Sequence, residues 1–293
     1  MSEINRIRVA TDFSEEADNA VFRAARLATE RGIASGTLVH ALPGSGVAAL
    51  TGFLSSNPRV MEELERSARE LLEEGVERAE KETGFRLEPE LVRSGLPEAA
   101  IGKGDEAQLI VVGGRGRSRV RDMLLGTGAE AVVRTSALPV LVVRNPWKLR
   151  WQRVMVPVDF SDDSRAALQR ARELAPEASL TLIHAMETLP GAAEGYTGIR
   201  DADVRAWERQ QREEAERQVD ELLAACGLGR DDVELVIEHA YAPALVAARA
   251  AEWEADLIVV GKQGHSRLHR MLIGSVTSHV LRRSDTDVLV VPG

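Results

Sequence analysis

The chain has 293 residues, a formal net charge of −9 and a single cysteine, Cys226. The acidic balance argues against sequence-independent binding to DNA or RNA, which needs Lys and Arg to neutralise phosphates, and a lone thiol rules out an internal disulfide. The opening residues form no apolar leader and no apolar run approaches membrane-spanning length, so the expectation is a cytoplasmic protein with neither membrane nor nucleic-acid contact.

Taken in chain order, the first element is a short apolar strand over 7–11, closed by Asp12-Phe13-Ser14 and two glutamates. That sequence reads as a helix start, with Ser14 or Asp12 as the cap and acids in the first turn. A second strand over 37–41 ends in His40-Ala41. The stretch 58–83, dense in Glu, Arg, Ala and Leu, predicts a long amphipathic helix. Strands follow at 109–113 and 139–143. Residues 144–150, with Pro146, read as a polar connector. The order then repeats. Val154–Ser161 echoes Ile7–Ser14, Thr181–Ala185 echoes Thr37–Ala41, Leu257–Gly261 echoes Leu109–Gly113, and Val288–Val291 echoes Val140–Val143, with 201–225 as the second long helix. The spacing between copies stays constant to within a few residues, which indicates domain duplication over 1–145 and 150–293. Continuous apolar strands alternating with helices predict, in each half, an open parallel α/β sheet with helices on both faces. Ligands bind such sheets beyond the carboxyl ends of the strands.

The fourth strand of each half runs into glycines. The first copy reads Gly113-Gly114-Arg115-Gly116, nine residues, then Gly126-Thr127; the second reads Gly261-Lys262-Gln263-Gly264, nine residues, then Gly274-Ser275. Glycines there let the backbone turn and bring N–H groups close to a ligand, and a helix N-terminus offers unpaired N–H groups to an anion. The intervening loops are basic in an acidic protein, with Arg115, Arg117, Arg119 and Arg121 in one and Lys262, Arg267 and Arg270 in the other, which fits phosphate contact or steering.

Both halves match G-x2-G-x9-G-[ST], and with the first-strand aspartate, the His-Ala strand end and the final Val-Leu-Val-Val strand the chain resembles a tandem universal stress protein. The resemblance implies five-stranded sheets of order 3-2-1-4-5, paired through their last strands as an intrachain pseudo-dimer, with a further homodimer and a protein partner left open. It implies binding of ATP, with AMP or ADP as alternatives and Mg2+ carried by the nucleotide. The base and ribose side falls to Ala10, Asp12 and Ala41 in the first half and to Pro157, Asp159 and Ala185 in the second. The loop side falls to Val112, Gly113, Arg115, Gly116, Gly126, Thr127 and Gly128, and to Val260, Gly261, Gln263, Gly264, His265, Gly274, Ser275 and Val276.

The first half departs from the pattern. Gly128 stands where the second has Val276, the segment from Pro97 to Gly113 is two residues shorter than Pro243 to Gly261, and Gly102 and Gly104 fall inside an expected helix. The first site is therefore expected to be looser or empty. Asp12 and Asp159 read as caps or ligand acceptors, with no base spaced to make them catalytic acids. His265 and His269 stand four apart without a third ligand, so no metal site is assigned, and His40 and His184 read as half-buried structural groups. No GxxxxGK[ST] or GxSxG motif is present and no catalytic residue is assigned. The leading reading is a nucleotide-binding stress-response protein in which occupancy sets conformation or partners; the alternatives are a slow ATPase and a scaffold with one degenerate site.

Overall fold

The computed structural model describes residues 4–42, 58–102, 107–114, 125–186, 201–264 and 273–293. The chain divides into two compact units, one of residues 1–150 and 285–290, the other of 151–284 and 291–293.

The first unit contains β1 (Arg6–Thr11), α1 (Glu15–Arg31), β2 (Ser35–Leu42), α2 (Pro58–Thr83), β3 (Glu88–Arg93), α3 (Leu96–Ile101), β4 (Leu109–Gly113), α4 (Thr127–Thr135) and β5 (Val140–Val143). The strands lie in the order β3-β2-β1-β4-β5 and pair in parallel. Val9, Val39, Ile110, Val111 and Val142 are closed to solvent, as strands covered on both faces must be. Helix α1 turns Ala17, Ala20, Ala24, Ala25 and Ala28 inward. These small side chains let its backbone lie close to the sheet, while its charged residues other than the buried Arg23 lie away from the core. The segment that sequence assigns to a helix carrying two glycines is a helix of six residues, Leu96–Ile101, ended by Gly102 at φ 75°. A glycine with positive φ there, its N–H bonded to the Glu98 carbonyl, closes the helix instead of weakening its interior; Gly104 lies outside the described residues.

This unit also takes in the last strand of the sequence. Strand β10 (Asp287–Val291) pairs antiparallel with β5, Val288 opposite Val142 and Val290 opposite Val140. Its first residue, Asp287, has no solvent exposure. The Asp287 carboxylate accepts the backbone N–H groups of Arg144 (2.7 Å) and Asn145 (2.8 Å) and sits 3.4 Å from the buried Arg23 guanidinium. Residues 144–150 are accordingly more than a polar connector. Asn19 donates to the Asn145 carbonyl and accepts from the Trp147 N–H. Arg23 donates to the carbonyls of Pro146 and Leu149, Arg26 to those of Trp147 and Lys148. Phe22 stacks on Trp147 at 5.2 Å. One face of α1 thus binds the connector along its length.

The second unit contains β6 (Arg153–Pro157), α5 (Asp162–Leu174), β7 (Ser179–Met186), α6 (Asp201–Ala225), β8 (Val233–His239), α7 (Ala242–Glu252), β9 (Leu257–Gly261) and α8 (Ser275–Arg283). Its strands pair in parallel in the order β8-β7-β6-β9, the same as the first four of the other unit. Among the described residues no helix is long and apolar enough to cross a membrane.

Removing the acceptor at 287 leaves two backbone donors and a guanidinium buried without it. Asp287→Ala is expected to lower stability by about 3 kcal/mol, the cost of breaking a buried pair by deleting one partner. Urea unfolding measures it, and an unchanged midpoint would show that the carboxylate holds nothing.

Candidate functional site

The site is built from the carboxyl ends of β6, β7 and β9. Strand β6 leaves the sheet through Asp159-Phe160-Ser161, and Phe160 takes φ 65°. A bulky residue in the left-handed region costs about 1–3 kcal/mol. The compensation is visible. The Phe160 ring lies 4.5 Å from the His184 ring and packs on Met186, Ala215 and Ile237. The turn also lets Asp159 Oδ1 accept from the Ser161 backbone N–H (3.1 Å) and hydroxyl (2.5 Å). Ser161 Oγ in turn accepts the Ser164 N–H and caps α5. The first unit repeats the device: Phe13 has φ 60°, Asp12 Oδ1 accepts from Ser14, and Ser14 caps α1. Serine is thus the cap in both copies, and the aspartate holds the serine.

Beside this turn, His184 Nδ1 lies 2.9 Å from the Val158 carbonyl. A carbonyl only accepts, so Nδ1 carries the hydrogen. Burial lowers the pKa of His184, partly opposed by that bond and by the Asp159 charge, and the ring is held neutral. His40 makes the same contact with the Thr11 carbonyl at 2.8 Å.

A crevice of about 380 Å³ opens at this edge. Pro157, Ile183, Ala185, Val246, Val260 and Val276 give it apolar walls; Asp159, Ser164, His184, Gln263, Ser275 and Thr277 add polar groups. Two glycines are set by close approach. A Cβ on Gly261 would stand 2.8 Å from the Asp163 Cβ, and one on Gly264 would collide with Asp159 Oδ2. The crevice also meets α8 end-on. Gly274 precedes α8 and, among the described residues, no side chain caps it, which leaves the first-turn amides without an intrahelical partner. Helix α5, capped by Ser161, is the contrast.

Ten of the eleven residues predicted for the second half border this crevice: Pro157, Asp159, Ala185, Val260, Gly261, Gln263, Gly264, Gly274, Ser275 and Val276. The eleventh, His265, lies outside the described residues, as do Arg115, Gly116, Arg117, Arg119, Arg121, Arg267, His269 and Arg270. Two loop amides differ from expectation. The Gln263 N–H donates to Asp163 Oδ2 (2.9 Å) and the Lys262 N–H to the Val291 carbonyl (2.7 Å), so both turn into the protein. Lys262 itself is buried and its pKa is lowered by burial, with Asp163 opposing, which removes it from the surface loop cations. In the first unit Ala10 and Val112 are buried, and Asp12, Ala41, Gly113, Gly126 and Gly128 are half-buried. Gly126, with no side-chain cap, precedes α4, and Thr127 opens that helix.

Sequence reasoning missed Asp163, Ser164 and Thr277. Thr277 donates to the Gly261 carbonyl at 2.6 Å. The available signal was helical spacing: the first turn of α8 returns over the end of β9, which launches it, whereas the first turn of α5, launched by β6, lies over the end of β9.

Two stretches, 3–144 and 150–292, match the model of the universal stress protein family. The chain belongs to that family. A universal stress protein of Mycolicibacterium smegmatis is 29% identical over 294 residues, covering 97% of this chain and 96% of the relative. Among solved structures, a universal stress protein from Archaeoglobus fulgidus superposes with a TM-score of 0.67 at 21% identity, covering 99% of both chains. One from Pseudomonas aeruginosa gives 0.63 at 18% identity, covering 99% of this chain and 93% of its own. At these identities the two structures share the fold. The tandem universal stress protein organisation therefore runs through the whole chain.

The neutral His184 gives this protein a pH signature. Its pKa in the fold lies below the ordinary 6.5, so between the two values the unfolded chain binds more protons than the fold. Stability is expected to fall as pH drops from about 6.5 toward the depressed value, and to level off below it. His184→Gln should flatten that slope in urea titrations run at successive pH values; an unaltered slope would place the titration elsewhere.

Proposed function

We propose that this universal stress protein binds ATP, or AMP or ADP in its place, in the crevice at the β6, β7 and β9 ends, and that occupancy sets its conformation or choice of partner. What carries the reading is one contrast. In each unit the first helix is closed by serine, while the last opens behind a glycine with no side-chain cap. The uncapped end in the second unit faces a walled crevice at the carboxyl edge of a parallel sheet. First-turn amides and the helix dipole there suit a phosphate. The volume of about 380 Å³ falls among small-ligand sites, at about 300–1,000 Å³.

In this reading Pro157, Ala185 and Val260 face the base. Asp159 accepts from the base or ribose, a role suited to a carboxylate beside an apolar wall. Gly264, Gly274, Ser275 and Val276 hold the ribose and phosphates, with His265 and the loop arginines alongside. Mg2+ enters on the nucleotide. The protein acts in the cytoplasm, with 1–145 and 150–293 as its two functional domains.

Native mass spectrometry of the purified chain should find co-purified adenine nucleotide, and calorimetry should measure uptake of added ATP. Gly264→Ala drives a methyl into the Asp159 carboxylate and should weaken ATP about tenfold or more, as an atom-scale intrusion into a fitted pocket does. If the variant binds ATP as tightly as the parent, the nucleotide lies elsewhere. Saturating ATP should also raise the thermal midpoint, since ligand at 100 times its Kd adds about 2.7 kcal/mol.

A further inference from the structure

A second cavity of the second unit opens at the opposite edge of its sheet, away from the glycine loop. It lies against the amino ends of β6, β7 and β8 and the carboxyl end of α7. Its volume is about 340 Å³, within the range of about 300–1,000 Å³ of small-ligand sites. The buried side chains of Val154, Met155 and Ala255 give it an apolar floor, and Trp253 lines a wall.

The charge of the lining is lopsided. Among the described residues three carboxylates, Glu234, Glu252 and Glu254, border the cavity against a single arginine, Arg153. Arg153 is engaged by Glu254, its Nε donating to the carbonyl (3.0 Å) and its Nη2 to the carboxylate (3.2 Å). Glu252 accepts from Arg249 (2.5 Å). Glu234 differs from both. Among the described residues it makes no ion pair, and it accepts from the hydroxyl of the buried Thr181 at 3.4 Å, longer than such a bond ordinarily runs. Helix α7 ends here at Glu252, so its negative dipole end adds to the acids. Glu254 follows with φ 47°, a helix-end conformation usually left to glycine.

The first unit shows what stands in this place when the chain fills it. Strand register sets Met155 opposite Thr181, and Thr181 opposite Glu234. The same three positions of the first unit are Arg8, Thr37 and Glu88. Met155 on the cavity floor therefore corresponds to Arg8, a buried guanidinium that donates to the Ala99 carbonyl (2.8 Å) and pairs with Glu90 (2.8 Å). Val236 stands where Glu90 does. The second unit has exchanged an internal ion pair for a thioether and a valine, and has kept the glutamate at the rim. What it lacks is the cation.

We infer that this cavity takes up a small organic cation, an alkylguanidine or alkylamine, with its charged head at Glu234 and its stem against Val154, Met155 and the Trp253 ring. Such a head donates several hydrogen bonds to carboxylate and hydroxyl oxygens, and an indole attracts both a cation and the apolar stem that carries it. Among the described residues no three metal-ligating side chains converge, which favours an N–H donor over a metal ion. An anion would meet three carboxylates, so the ligand differs in kind from the one proposed for the crevice.

The test is calorimetric titration of the full chain with butylguanidine and butylamine, with the neutral isostere butylurea as control. The two cations should give saturable uptake and butylurea none. Glu234→Gln removes the charge at an exposed position and should weaken both cations about tenfold or more, as loss of a hydrogen bond to a charged group does. Met155→Arg installs the first unit's own guanidinium and should abolish uptake. Thermal melts report whether each variant is folded, and Glu234→Gln carries the test by itself should the arginine variant not fold. A parent that takes up neither cation overturns the inference. So does a Glu234→Gln variant that binds them as tightly as the parent, or butylurea bound as well as butylguanidine.

Discussion

The turn that ends the first strand of each half is the constraint on which the rest of the architecture rests. By holding a phenylalanine at φ near +60°, the chain leaves the sheet, starts a serine-capped helix and aims an aspartate at the strand ends within three residues. The strain is local and the compensation distributed: ring contact with a histidine, apolar packing in the second unit, and the aspartate–serine bonds. That same histidine is locked as one tautomer by a carbonyl of the turn. The turn, the ring and the aspartate behave as one part, installed twice.

Helix ends are used in two opposite ways here. Those of α1 and α5 are satisfied by serine and flanked by acids, which makes them structural. Those of α4 and α8 follow glycines and, among the described residues, have no side-chain cap. The glycine loop of the second unit is held from below by Asp163, which accepts the Gln263 N–H and packs on Gly261. One carboxylate thus positions the loop while another, Asp159, meets it at Gly264. Among the described residues the loop is held by two acids and two close glycine contacts.

The duplication, the parallel strands and the glycine spacing were legible because each is a local or periodic signal. Ala10, Asp12, Pro157 and Asp159 could be placed at strand ends because continuous apolar runs stop there. What stayed hidden was long-range. Asp163 looks like one more first-turn acid, and only the return of α5 over β9 gives it a loop amide. Lys262 looks like a surface cation, and only the packing around it shows that it is buried. Leu96 and Gly128 are far apart in the chain, and only the fold brings the Leu96 methyl to where a Cβ at 128 would stand. Asp287, an acid opening an apolar strand, gave no hint that it meets Arg23 and the connector amides.

The lodging of β10 in the first unit bears on biosynthesis. Residues 285–290 leave the ribosome long after Arg150, and until they do, the outer edge of β5 has no antiparallel neighbour and the Arg144 and Asn145 amides lack their carboxylate. The earlier-made half must therefore wait for residues 285–290 to be translated before it is complete. A nascent chain halted shortly before that point would expose a valine-rich strand edge, the kind of surface that chaperones shield and that aggregates recruit.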